Sequence, residues 1–332
     1  MVVDTDMTPL VFFYSDQAQA DEWLADPCVL AFIQFQESVA TTSDPRVCAL
    51  ALPELAGTAT VEVWRGAWPA QTGILDGVGY ADNGAVLFLQ LSLNERSPAD
   101  LSLSTSTAYR RLFAAARARG YPHLLRVWNY FPDITRKAGG LERYQAFCVG
   151  RHLAFVAELT EFETRLPAAC AIGAQGAGLR IHALAAREAG VQIENPRQVS
   201  AFRYPRQYGP TSPSFSRAIL KDWGAPNAMH LYISGTASVV GHASQHLELM
   251  AQLEETLRNL QALLEQANRM VSLPLRPALL KIYMRPDFDP APLRDRIVQA
   301  FGAVPLLFLR AEICRPDLLV EIEGTATSEV EG

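Results

Sequence analysis

The chain has 332 residues, of which 49% are hydrophobic and 19% charged, and a formal net charge of −6. This is the composition of a folded globular protein of about two domains, and the acidic balance excludes the broad basic footprint that nucleic acid or an anionic membrane requires. No apolar run reaches a membrane-spanning length, and the start "MVVDTDMTPLVFFYSD" lacks the basic residues of a signal peptide. The five cysteines, Cys28, Cys48, Cys148, Cys170 and Cys314, are widely spaced without a CxxC pair, so they read as reduced thiols of a cytoplasmic protein.

In chain order, Ser15 to Phe35 reads as a helix and "TATVEVWRG" as a strand. "GVGYADNGAVLFLQLSLN" reads as a hairpin, with Asn83-Gly84 supplying the positive φ angles of a two-residue turn. "STAYRRLFAAARARG" is rich in helix formers and ends on Gly120, a left-handed cap. The strand-like "HLLRVWNY" follows, and then "GGLERYQAFCVGRHLAFVAEL", a further helix.

The second half restarts the alternation. Strands are expected at "GLRIHALAA", "AMHLYISGTASVV", "PALLKIYMR", "VPLLFLRAEIC" and "LLVEIEG". Between the second and third, Leu247, Met250, Leu253, Leu257, Leu260 and Leu264 recur at steps of three and four, the stripe of an amphipathic helix long enough to cover a sheet. A shorter helix falls between Asp287 and Phe301. The fold class is therefore α+β, two α/β halves each with helices on one face of a sheet, with a boundary near residue 160 and a frayed acidic tail at 325–332.

Several residues could carry chemistry. His242 and His246 have the i, i+4 spacing of a metal pair on a helix, but no further ligand cluster completes a site, so no metal or cofactor is expected. "SGTASVVG" lacks both phosphate-loop spacings; instead Gly235 lets a small ligand approach the backbone at a strand end, where Thr236 can donate. Arg143 and Arg151 lie eight residues apart on one helix, about 80° apart around its axis, with Tyr144 and Phe147 beside them. Two guanidinium forks suit a ligand with two carboxylates; the alternative is a pair of surface arginines lying over apolar neighbours. The Pro-, Ser-, Tyr- and Arg-rich stretch Phe202 to Ala218 could line a polar pocket or only connect elements. In Val320-Glu321-Ile322-Glu323 the alternation puts both carboxylates on one strand face, either solvated or reactive.

Five ordered blocks, "RVWNYFPDIT", "GGLERYQAFCVGR", "ENPRQVSAFRYPRQYGPTSPSFSRA", "LYISGTASVVGHASQH" and "EICRPDLLVEIEG", resemble those of the chorismatases. The resemblance implies release of pyruvate from chorismate, and a RidA/YjgF-like (chorismate-mutase-like) second half spanning 161–324 after an N-terminal α/β domain at 1–160. It implies Glu321 as the acid that protonates the enolpyruvyl methylene, and Arg143, Tyr144, Arg151, Tyr208, Gly235 and Thr236 as substrate contacts. Cys314 is implied to steer the product toward 3-hydroxybenzoate, and overall similarity favours members making 3- and 4-hydroxybenzoate. Glu323 is expected near the rim of the cleft. Alternatives are hydrolysis to a dihydroxycyclohexadiene carboxylate, a RidA-like binding module, and imine deamination. The last is disfavoured because Thr211 replaces a tyrosine after Gly209-Pro210 and Phe308 falls where an arginine belongs. A small-molecule substrate is the only partner expected, in a monomer or a RidA-like trimer.

Overall fold

The structure, a computed structural model, describes residues 9–36, 43–55, 60–95, 97, 100–225 and 228–328. The chain opens with β1 (Leu10–Asp16), a short α1 (Ala20–Ala25), β2 (Val29–Phe35), β3 (Val47–Leu50) and β4 (Thr60–Gly66). These form a four-stranded sheet in the order β1-β4-β2-β3. The expected helix from Ser15 to Phe35 is thus only one short helix, because the run Val29–Phe35 is nearly all buried and pairs as a strand.

Next come β5 (Gln71–Leu75), β6 (Val78–Asp82), β7 (Val86–Leu93), α2 (Leu101–Arg119), β8 (His123–Phe131), the small β9 (Lys137–Ala138) and β10 (Leu141–Glu142), α3 (Arg143–Glu158), β11 (Ala168–Gly173) and β12 (Leu179–Ala186). The β6–β7 hairpin forms as expected, except that only Gly84 has positive φ; the Asn83 side chain instead accepts hydrogen bonds from the Ala85 and Val86 amides. Gly120 caps α2 in the left-handed conformation.

The last stretch holds β13 (Val191–Ile193), β14 (Ala218–Asp222), β15 (Met229–Ala237), β16 (Val239–Val240), β17 (Ala243–Ser244), α4 (Leu249–Asn268), β18 (Leu275–Met284), α5 (Ala291–Phe301), β19 (Leu306–Arg310), β20 (Glu312–Ile313) and β21 (Val320–Ser328). A six-stranded sheet runs β13-β14-β15-β21-β18-β19, and a seven-stranded sheet runs β20-β11-β8-β12-β7-β6-β5.

Two sequence expectations are corrected here. The strand "GLRIHALAA" pairs with β7 and β8, so the seven-stranded sheet runs on past residue 160 to Ala186 and also recruits β20 from near the end of the chain. Thr325–Ser328, expected to fray, belong to β21, whose small residues pair with β15 and β18; 329–332 lie outside the described residues.

All three sheets turn one face inward. Trp64 from the first sheet, Trp128, Tyr130 and Leu184 from the second, and Tyr232, Tyr283 and Leu307 from the third share one central core. Helices cover the outer faces: α2 and α3 the seven-stranded sheet, α4 and α5 the six-stranded one. Leu253, Leu257, Leu260 and Leu264 of α4 are buried as the stripe predicts, whereas Leu247 precedes the helix and is exposed.

Candidate active site

On β21 the alternation separates two environments. Val320 and Ile322 pack outward under α4 and α5, while Glu321 and Glu323 point inward, and all four are buried. The acidic face is therefore not solvated: the N-terminal sheets cover it.

Glu321 borders a cavity of about 450 Å³, within the range of small-molecule sites. Its walls come from both halves: Tyr144 and Cys148 on α3, the segment from Tyr204 to Arg217, Gly235 on β15, and Cys314 to Leu318 between β20 and β21. The register of β15 against β21 shifts between Ile233 and Thr236, a bulge that contains Gly235. The Glu321 carboxyl occupies the space a side chain would take there, since a Cβ on Gly235 would lie 1.8 Å from Oε1. Burial, aided by the charge of Glu323, pushes the Glu321 carboxyl up to about 8 against the opposing pull of Arg126 and Arg217.

Glu323 is not at the rim. It accepts hydrogen bonds from Trp128 Nε1 at 2.8 Å and Tyr283 OH at 2.9 Å, is bound by Arg126, and pairs with Lys281 at 3.3 Å. Lys281 in turn holds Glu62 at 2.6 Å, and all four charged residues are buried. Burial alone would raise the Glu323 carboxyl, but Arg126 and Lys281 overcome it and hold it below the usual range.

The substrate residues expected from the sequence divide. Tyr144, Tyr208, Gly235 and Cys314 line the cavity with Glu321. Arg143 lies outside it: its guanidinium grips both oxygens of Glu95 at 2.7 Å and the carbonyl of Pro132, on the wall of a separate, larger cleft of about 900 Å³. Thr236 gives its hydroxyl to the Ser234 carbonyl at 2.9 Å and does not line the cavity. Arg151 sits one helical turn beyond Cys148, buried over the rings of Phe147 and Phe215 and beside the Tyr109 hydroxyl. Burial pushes the Cys314 thiol up, so it stays protonated; it packs against Ala237, Val239, Ile313 and Leu318.

Two arginines escaped the sequence reading. Arg217 ends the Tyr- and Pro-rich stretch and donates to Tyr204 OH at 2.7 Å and the Val199 carbonyl at 2.9 Å, leaving Nε without a partner among the described residues. Arg315 lies over Tyr208, 4.3 Å from the ring centroid, and donates to the His242 carbonyl and Ser244 Oγ. The register that put Phe308 in an arginine's place misled: Phe308 faces the α4–α5 core, and the cation comes seven residues later, from the loop before β21. The signal for both was present, Arg217 in "SFSRA" and Arg315 in "EICRP", inside the blocks already singled out.

His242 and His246 precede α4 rather than sharing its face. His242 Nδ1 meets Tyr208 OH at 3.1 Å and His246 pairs with Glu255. No group of three or more potential metal ligands occurs among the described residues, and no described helix is long and apolar enough to cross a membrane.

Comparison with known proteins agrees with this geometry. Residues 62–185 match a family model described as "Chorismatase FkbO/Hyg5-like, N-terminal". The chain is 36% identical over 277 residues to a 3-hydroxybenzoate synthase of Streptomyces hygroscopicus, covering 79% of this chain and 80% of that one. It is 37% identical over 274 residues to a chorismatase of Streptomyces rapamycinicus, covering 79% and 81%. A chorismatase crystal structure superposes with a TM-score of 0.83 at 32% identity, covering 96% of this chain and 98% of that one. With relatives at 36–37% identity spanning about 80% of both chains and a chorismatase structure superposing over nearly all of it, the chain belongs to the chorismatase family.

Proposed function

We propose that the protein converts chorismate to 3-hydroxybenzoate, 4-hydroxybenzoate or both with release of pyruvate, and that Glu321 is the general acid. The observation that carries the reading is a buried carboxyl, pushed up to about 8, on the wall of a cavity whose other polar groups include two guanidiniums. An enol ether opens when its terminal methylene is protonated, which leaves an oxocarbenium-like centre for an oxygen nucleophile. A carboxyl that is mostly protonated at neutral pH is suited to that step, whereas a solvated glutamate would be ionised. Attack by the ring hydroxyl, followed by cleavage of the ether and aromatisation, divides chorismate into pyruvate and a hydroxybenzoate with no net uptake of water and no external oxidant.

Arg217 and Arg315 are the candidates for the two substrate carboxylates, because each reaches the cavity and neither forms an ion pair with a carboxylate among the described residues. Tyr144 and Tyr208 offer hydroxyls. Arg151, a buried cation one turn deeper, adds positive potential to the same end of the cavity. Arg143 and Thr236 have no place in this reading. Cys314, protonated and apolar in its contacts, narrows the wall beside Glu321, which favours the internal hydroxyl over water. Both walls come from one chain, which supports a monomer over a trimer, and five unpaired thiols suit the cytoplasm.

The test is purified protein with chorismate, following pyruvate through coupled NADH oxidation and the aromatic product by chromatography. Pyruvate no faster than the spontaneous rate overturns the reading. Glu321→Gln is expected to stay folded and lose at least about a hundredfold in turnover, the lower end of what a positioned acid contributes. Because Arg315 supplies a cavity arginine, hydrolysis of 2-aminoacrylate is measured in parallel; turnover of that imine with inert chorismate would make the protein a deaminase.

A further inference from the structure

Behind the cavity lies a second set of ionisable groups that never touches it. Glu62, Lys281, Glu323 and Arg126 come from β4, β18, β21 and β8, so the three sheets each contribute to one buried alternating array of two anions and two cations. The register fixes the array to the acid's strand: Glu323 pairs across the ladder with Lys281 on β18, and Glu321, two residues back on the same face, pairs with Tyr283. The two glutamates are therefore about 7 Å apart along β21, and both are buried.

Glu323 has no share in substrate chemistry. It does not line the cavity, and its two oxygens are occupied by Arg126, Trp128, Tyr283 and Lys281. A carboxylate with these donors keeps its charge. The cations acting on Glu321 are Arg126 on the array side and Arg217 on the cavity side, both favouring ionisation, while Arg315, Glu142 and Asp317 also line the cavity without a resolved effect on it. The neighbouring thiols, Cys170 of β11, Cys148 of α3 and Cys314, and the phenols Tyr144 and Tyr283 are all raised by burial and stay neutral. Glu323 is thus the anion that acts on Glu321 against the pull of Arg126 and Arg217.

We propose that Glu323, fixed by Arg126 and Lys281, is a positioning residue that holds a permanent negative charge behind Glu321 and so keeps the acid protonated between turnovers. The proposal rests on the reading of Glu321 as the acid, and it separates two like residues by role: one moves its proton, the other never takes one.

Infrared difference spectra recorded across a pH titration test it without relying on turnover. Wild type is expected to show a protonated-carboxyl band at neutral pH that is missing in Glu321→Gln. In Glu323→Gln the midpoint of that band falls by about one pH unit or more, a tenfold or greater loss of proton affinity, whereas Glu323→Asp, which keeps the charge, stays near wild type. The basic limb of the pyruvate-release profile moves to lower pH in Glu323→Gln by the same amount. Survival of the neutral-pH band in Glu321→Gln, or an unmoved midpoint in Glu323→Gln, overturns the proposal. If Glu323→Gln does not fold, the comparison of wild type with Glu321→Gln still decides which glutamate carries the proton. A midpoint that moves while the rate profile stands still upholds the charge relation and overturns Glu321 as the acid.

Discussion

At the scale of single residues, Glu321 ties reactivity to instability. Its carboxyl rises from 4.5 to about 8 on folding, so the protonated group costs little below pH 4.5 and the stability it carries is lost as pH climbs through 8. Glutamine carries no such charge. Glu321→Gln should therefore match wild type in urea unfolding below pH 4.5 and exceed it above pH 8, by on the order of 5 kcal/mol; equal stabilities at high pH would mean the carboxyl is solvated. Gly235 is the other residue whose identity the site requires. A methyl group there would strike the Glu321 carboxyl rather than a yielding side-chain end remote from the chemistry. Gly235→Ala is expected to retain its fold, since the backbone at Gly235 is not left-handed, and to lose turnover by at least about tenfold as the acid is displaced. Circular dichroism together with pyruvate release checks both halves of that expectation.

At the scale of elements, the cavity depends on a loop that two side chains hold from outside. The segment between β20 and β21 supplies Cys314, Arg315, Pro316, Asp317 and Leu318 to the wall. Gln252 of α4, wholly buried, donates to the Asp317 carbonyl at 2.7 Å and accepts from the Leu319 amide at 2.8 Å. Arg285 donates to the carbonyls of Leu318 and Pro316. Gln252→Ala removes the partner of three backbone groups, the His246 and Asp317 carbonyls and the Leu319 amide, and should cost about 1–3 kcal/mol of stability, with a rise in KM for chorismate as the Arg315 loop loosens. An unchanged KM in the folded variant would show that the loop holds its shape without the amide. This support was invisible in the sequence: Gln252 occupies a helix position like any other polar residue, and its partner is the backbone of a loop 65 residues away.

At the scale of the whole molecule, what the sequence disclosed follows from how local each signal is. The helices at Leu101–Arg119 and Leu249–Asn268, the β6–β7 hairpin and the strand carrying Glu321 are written in periodicity and turn residues, and they form where expected. The resemblance singled out Glu321, and of the two readings left open for the Tyr- and Pro-rich stretch, pocket lining or connector, the structure has it lining the cavity. Where pairing across long separations decides, the reading failed. Nothing local says that β12 joins β7 and β8, that Glu323 meets Arg126 at a separation of 197 residues, or that Arg143 turns to Glu95 outside the Glu321 cavity. The alternation of Val320 to Glu323 correctly gave the two faces but not what covers the acidic one, because that cover comes from the other half of the chain.

The strand order also bears on how the protein assembles. β21, the final described strand, is not an edge: it lies between β15 and β18, with β20 just before it stitched to β11 of the other sheet. On the ribosome the growing chain must wait with two unpaired strand edges facing each other until the segment bearing the acid arrives and closes the gap. The placing of Glu321 and the sealing of the six-stranded sheet are therefore one event, and a polypeptide lacking β21 would be primed to associate through its open edges.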